Sequence, residues 1–296
     1  MIVSNYPNWG RILRQTGKLL LTFLLLSIAA VLIDRQRHLL RALRIPEVAV
    51  SVLGAALGIL LAFRTNSAYA RWWEARTLWG GLVNQSRSLA RQATSFSIDR
   101  DFARRLVYLQ IAFVHALRCA LRRQPPHEEI RIFLDADTAT ICESAQNAPN
   151  AILQQMGLEA AAARDRESID SFEFLRLDQT FSELSNIMGA CERIKNTPLP
   201  RQYDFYPELF IKAYCFVLPF IIVDDVGLIT PIITVLIGFA FLVLNRIGKN
   251  LEDPFENTPY DVPLSALSRT IEINLRQMLG EEDVPAPLTP DKGVLM

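Results

Sequence analysis

The sequence predicts an all-α membrane protein in which four apolar helices carry a charged, water-facing helical part. Three observations support this. Half of the 296 residues are hydrophobic, yet the mean hydropathy of the chain is only +0.18, so the apolar residues must be concentrated in places. They form long runs near both ends of the chain. Between and after those runs, charged and apolar residues alternate at helical spacing. Lys plus Arg and Asp plus Glu each number 31, leaving no net charge. That balance lacks the basic stripe of a nucleic-acid-binding surface.

The first run, Leu19–Ile33, follows Arg11, Arg14 and Lys18. A secretory signal has a similar start, but the run is followed by Asp34-Arg35-Gln36-Arg37 and not by a small-residue cleavage site. A membrane helix over about 18–33 is expected. The second run, Val48–Phe63, is uncharged for 16 residues. At 1.5 Å per residue it covers about 24 Å, slightly less than the roughly 30 Å hydrocarbon core. The helical pattern continues past Arg64 to Trp72 and Trp73, so a helix crossing at about 47–69 and running on into water is predicted.

The charged middle, about 70–209, reads as a helical bundle. Phe102–Leu121 is apolar but interrupted by Arg104, Arg105, His115 and Arg118. Each such charge at a bilayer centre costs about 2.5–3.5 kcal/mol on insertion scales, so a buried helix outside the membrane is predicted. Pro125-Pro126 and Pro149 mark breaks. Thr197-Pro198 reads as a cap and a fresh helix start.

Two further membrane helices are expected at about 210–223 and 226–244, separated by Asp224-Asp225 as a tight hairpin. Pro219 and Pro231 imply bends that neighbouring protein must accommodate. Asp253-Pro254 reads as another helix start, and Ser265–Leu279 is amphipathic, giving a second water-facing part over about 250–280. Residues 281–296, with Pro285, Pro287 and Pro290, have the composition of a disordered tail.

Four crossings put both termini and the charged middle on one side of the membrane. Arg11, Arg14, Lys18, Arg64, Arg71, Arg246 and Lys249 flank the membrane there, which fits the cytoplasm by the positive-inside rule. The loop containing Arg35, Arg37, Arg41 and Arg44 disagrees with that assignment. The four cysteines form no Cys-x-x-Cys pair and read as small buried thiols. The three histidines make no metal-ligand pattern. There is no glycine-rich phosphate loop, no nucleophile elbow and no His-Glu-x-x-His, so no enzyme is predicted.

The informative segment is Leu53–Arg64. Ala55, Ile59, Ala62, Phe63 and Asn66 share one helical stripe. Small residues here suit close helix packing, which is the simpler reading of the pattern alone. The same stripe also suits a pore wall, where rings of identical apolar side chains form a constriction that gates by dewetting.

Three blocks decide between these readings. Leu53-Gly54…Phe63-Arg64-Thr65-Asn66-Ser67-Ala68-Tyr69…Arg71-Trp72-Trp73-Glu74…Trp79-Gly80 resembles the bestrophin signature. Gly189-Ala190-Cys191-Glu192-Arg193-Ile194…Thr197-Pro198-Leu199-Pro200 resembles the bacterial branch. Leu251-Glu252-Asp253-Pro254-Phe255, followed by Asp261-Val262-Pro263-Leu264, is the third. Together they extend the resemblance from about Gly10 to Leu279.

The resemblance implies a homo-pentamer around one central pore, with four membrane helices per subunit and a helical cytosolic extension. The second membrane helix would line an apolar neck at Ala55, Ile59 and Phe63. A methyl group at Ala55 narrows a pore little, so Ile59 and Phe63 should form the tightest rings. A cytosolic restriction is expected near Phe172, where an ordinary core aromatic is the alternative. Eukaryotic members hold calcium with an acidic run that is absent after Glu252-Asp253-Pro254-Phe255-Glu256, and too few carboxylates remain for six to eight oxygen ligands. No metal or cofactor is expected.

The implied function is a passive channel in the bacterial inner membrane, its partners being the bilayer and permeant inorganic ions. By resemblance these would be chloride or other small anions, with a monovalent cation channel of the same fold as the alternative. Asp224 and Asp225 are candidate pore-mouth charges that would favour cations, whereas Arg35 and its neighbours would favour anions. A coupled transporter should show midplane ionisable groups or inverted repeats, and neither is seen. A membrane-anchored scaffold would carry no current.

Overall fold

The computed structural model describes residues 1–3, 9–34, 47–97 and 99–296. Arg35, Arg37, Arg41 and Arg44 lie outside the described residues. The described chain is helical, and its only extended pairings are isolated bridges, Ile2 with Val294 and Asp291 with Val294. The helices fall into two compact units.

The membrane unit comprises residues 5–71 and 198–252. It holds α1 (Trp9–Asp34), the first part of α2 (Glu47–Phe96), α8 (Gln202–Val226) and α9 (Thr230–Glu252). Gly10–Asp34, Val48–Phe96 and the paired α8–α9 stretch Gln202–Glu252 are long and apolar enough to cross a bilayer. Each of the four helices contributes to one apolar cluster of Phe23, Leu57, Leu61, Ile211, Cys215 and Leu242. Small residues allow the close approaches, as expected where packing and not hydrophobicity drives association in lipid. A methyl group on Gly54 would stand 2.8 Å from the Tyr214 hydroxyl, and one on Gly238 would stand 2.8 Å from Cδ2 of Phe23.

The second unit comprises residues 1–4, 72–197 and 253–296. Its helices are the remainder of α2, α3 (Arg100–Leu121), α4 (His127–Arg131), α5 (Ala136–Ser144), α6 (Ala148–Asp165), α7 (Ser171–Asn196) and α10 (Leu264–Met278). Asp99 caps α3 by accepting from the backbone N–H groups of Asp101 and Phe102. From Leu106 to Cys119 nearly every α3 residue is buried, against Trp79, Leu82 and Leu89 of α2, Ile152 and Met156 of α6, Leu177 and Leu184 of α7, and Leu275 of α10. Each large apolar side chain buried in this way contributes about 1.5–3 kcal/mol. The charges that interrupt α3 divide accordingly. Arg104 and Arg105 are exposed, whereas His115 and Arg118 are buried and pair with Glu272 and Glu129. All four cysteines are buried and free. Burial pushes the Cys191 thiol up to about 12.

Several boundaries differ from the sequence expectation. The turn between α8 and α9 is a 3-10 segment at Gly227–Ile229, so Asp224 and Asp225 lie in the last turn of α8. Gly227 makes the turn with φ +55°, a left-handed conformation that glycine adopts without steric cost. Pro231 falls in the first turn of α9, where no intrahelical N–H bond is lost and no bend is needed. Thr197-Pro198 starts no helix, because α7 ends at Asn196 and α8 begins only at Gln202. Asp253-Pro254 likewise opens a loop in which Val262 N–H donates to the Pro254 carbonyl, and α10 starts at Leu264. Residues 281–296 are non-helical but make defined contacts, including Arg276 Nη2 to the Asp283 carbonyl and Ala266 N–H to the Met296 carbonyl.

Candidate pore-lining site

The membrane part of α2 has two opposed faces. Val50, Leu57, Leu61, Arg64 and Ala68 are buried and recur at intervals of three, four and seven residues, which makes one helical stripe. Ala55, Ile59 and Phe63 recur every four residues on the other side and are exposed, Ile59 at 58% and Phe63 at 66%. Asn66 continues that exposed stripe. A third set, Leu53, Ala56 and Leu60, borders an apolar groove of about 440 Å³ shared with Phe210, Ala213, Tyr214 and Val217 of α8. The expected neck residues therefore share a face that the unit's own core does not use. From Ala55 to Phe63 this face extends about 12 Å along the helix axis.

The buried face of α2 ends in a charge network. Arg64 is 1% exposed. Its Nη1 donates to both the carbonyl and Oδ1 of Asn245, at 3.1 and 2.5 Å. Its Nη2 donates to Oδ1 of Asp204 at 2.8 Å and to Oε2 of Glu252 at 3.3 Å. Lys249 adds contacts to Asp204 and Glu208, and Lys212 a further one to Glu208. Gly248 of α9 packs beside this network, where an added methyl group would stand in ordinary contact, 3.4 Å from Thr65 Oγ1 and 3.6 Å from Arg64 Nη1. In the sequence Arg64 reads as a membrane-flanking arginine within the bestrophin-like block, with nothing to show that it is buried. Its partners lie 140–188 residues away, and no local pattern announces them.

Asp204 beside Arg64 and Tyr214 beside Gly54 show that α8 runs antiparallel to α2. Twenty residues beyond Asp204, or about 30 Å, Asp224 reaches the other end of the bundle. Asp224 and Asp225 are both exposed there, at the end where α2 begins, and so are far from Ile59 and Phe63.

Phe172 belongs to the second unit, in the first turn of α7. A capping box fixes that turn: Asp170 Oδ1 accepts from Glu173 N–H at 2.7 Å, and Glu173 Oε2 accepts from Asp170 N–H at 2.9 Å. Phe172 is 79% exposed, whereas Phe174 packs against the core with Arg164 over its ring at 4.9 Å. Phe172 is therefore no core aromatic of this unit. In the same unit Lys195, buried on α7, donates to Asp253 Oδ2 at 3.1 Å and Glu256 Oε1 at 2.7 Å. Burial, and then the hydrogen bond with Glu256, raise the Asp253 pKa. These two carboxylates face an internal ammonium group, an arrangement that does not fit a divalent cation held by six to eight oxygens.

Known proteins resemble this chain over most of its length. The family described as Bacterial/Fungal Bestrophin protein matches residues 7–277. The voltage-dependent anion channel-forming protein YneE of Salmonella typhi is 37% identical, with 99% of this chain and 98% of that protein covered. The Escherichia coli K12 protein of the same name is 35% identical over the same shares. Among solved structures, a bacterial bestrophin homologue from Klebsiella pneumoniae superposes with a TM-score of 0.85 at 32% identity, over 89% of this chain and 98% of that one.

Proposed function

The chain belongs to the bacterial and fungal bestrophin family, and from that premise we propose that it is one subunit of a pentameric, passive channel for chloride or other small anions. Four helices per subunit, α1, the first part of α2, α8 and α9, cross the inner membrane, with both termini in the cytoplasm. Five copies of α2 surround the pore.

The observation that carries this reading is the exposed Ala55–Ile59–Phe63 stripe. It lies opposite the buried face of a membrane helix, in a chain whose relatives are named as anion channels. Rings of Ile59 and Phe63 form the neck, where ions pass partly dehydrated and dewetting closes the path. Phe172, a bulky apolar side chain held outward at a capped helix start, supplies the cytosolic restriction.

The neck has no fixed charge, so the sign of selectivity depends on charges at the pore mouths. Exposed Asp224 and Asp225 favour the second reading, a monovalent cation channel of the same fold. Single-channel recording of Ile59→Ala and Phe63→Ala tests the neck. Each is expected to raise conductance or open probability, because a smaller side chain widens the constriction. If both leave the current unchanged, these residues do not form the neck.

A further inference from the structure

Resting on the pore reading above, we propose that Arg64 is a positioning residue of the neck. Held from α8 and α9, it fixes the rotation of α2 about its own axis and keeps Ile59 and Phe63 turned to the pore.

Arg64 follows Phe63 directly and lies about 140° round the helix from Ile59, at about 100° per residue. The rest of the buried α2 stripe near the neck is Leu57 and Leu61, whose apolar contacts are non-directional. Leucine packing alone would let a helix turn through a modest angle. The planar guanidinium does not, because its donors point in fixed directions and are met by acceptors on two other helices. Asp204 approaches from α8, and Asn245 and Glu252 from α9. The guanidinium itself is almost fully buried although Asp204 and Glu252 are partly exposed, so a rotation that broke these contacts would leave the Arg64 charge buried without its partners.

The same network argues against a role in choosing the ion. Arg64, Lys249 and Lys212 are matched by Asp204, Glu208 and Glu252, so the cluster carries no net charge. Arg64 is also buried on the side away from the exposed stripe. Its contribution is geometric.

The test uses Arg64→Lys, which keeps the charge and loses the planar fork. Ile59→Cys, Phe63→Cys and Leu60→Cys are each made with Arg64 intact and with Arg64→Lys. Labelling by a water-soluble charged thiol reagent is read in the assembled oligomer, together with single-channel current and reversal potential. With Arg64 intact, positions 59 and 63 should label and position 60 should not. With Arg64→Lys, labelling at 59 and 63 should fall several-fold, labelling at 60 should rise, and conductance should change roughly twofold or more. The reversal potential should stay where it was, a combination that general loss of stability would not produce.

If Arg64→Lys does not assemble, Asn245→Ala, which removes the Oδ1 acceptor without altering charge, should give the same changes in smaller measure. Unchanged labelling and conductance in these variants overturn the positioning role and leave the pore reading standing. A shifted reversal potential with unchanged labelling would make Arg64 a selectivity charge and also overturn it. No labelling at 59 or 63 with Arg64 intact overturns the pore reading, and this proposal with it.

Discussion

A methyl group on Gly238 would meet the ring of Phe23, which is only 4% exposed. Gly238→Ala should therefore destabilise the membrane unit by about 1–3 kcal/mol, the usual cost of overpacking. The check is a lowered melting temperature in detergent. Gly157 in α6 is the control, because nothing lies within 4 Å of an added methyl group. Gly157→Ala should be neutral or stabilising by about 0.5–1 kcal/mol, as expected for replacing a glycine inside a helix. A Gly238→Ala variant as stable as Gly157→Ala would mean that the α9–α1 approach is looser than described. At this scale the sequence is a partial guide. Ile59 and Phe63 are legible, because four-residue steps place them on one face. The burial of Arg64 is not, since it depends on acceptors brought in from α8 and α9.

At the scale of helices, α3 and α10 show how polar residues are accommodated in a buried interface. Glu272 of α10 is 5% exposed and lies 3.4 Å from His115 Nε2, 3.2 Å from Arg269 and 3.6 Å from Arg276. Burial pushes its pKa up, but the adjacent His115 imidazole and the Arg269 and Arg276 guanidinium groups outweigh that and hold it below the ordinary 4.5. A lowered carboxylate pKa stabilises the fold above its unfolded value, and this stability is lost as pH falls through the folded value. Glu272→Gln should therefore lower the melting temperature at pH 7. Its deficit relative to the parent protein should shrink once pH drops below about 4.5 and vanish below the folded pKa. A deficit that stays constant with pH would remove the ionised carboxylate from the account.

Helix identities were largely readable because long apolar runs and three- and four-residue spacing survive any tertiary context. The interrupting charges of α3 predict a buried helix outside the membrane; the helix is buried, and its His115 and Arg118 are paired within that unit. Boundaries were less readable. Thr197-Pro198 and Asp253-Pro254 satisfy the local chemistry of a helix start, yet each opens a loop. In the second, Phe255 is fully buried and Lys195 holds the two carboxylates, so tertiary contacts override the local preference.

For the molecule as a whole, balanced composition and clustered hydrophobicity identify a membrane protein, and the three sequence blocks identify its family. Neither fixes the ion, because an apolar neck selects against charge in general and not against one sign. The most direct test of the central claim is the reversal potential of the purified, verified pentamer in a planar bilayer under asymmetric sodium chloride. The expected result is a current whose reversal potential shifts toward the chloride equilibrium potential. A shift toward the sodium potential would contradict the anion assignment and favour the cation channel, and no current at any voltage would contradict the channel itself.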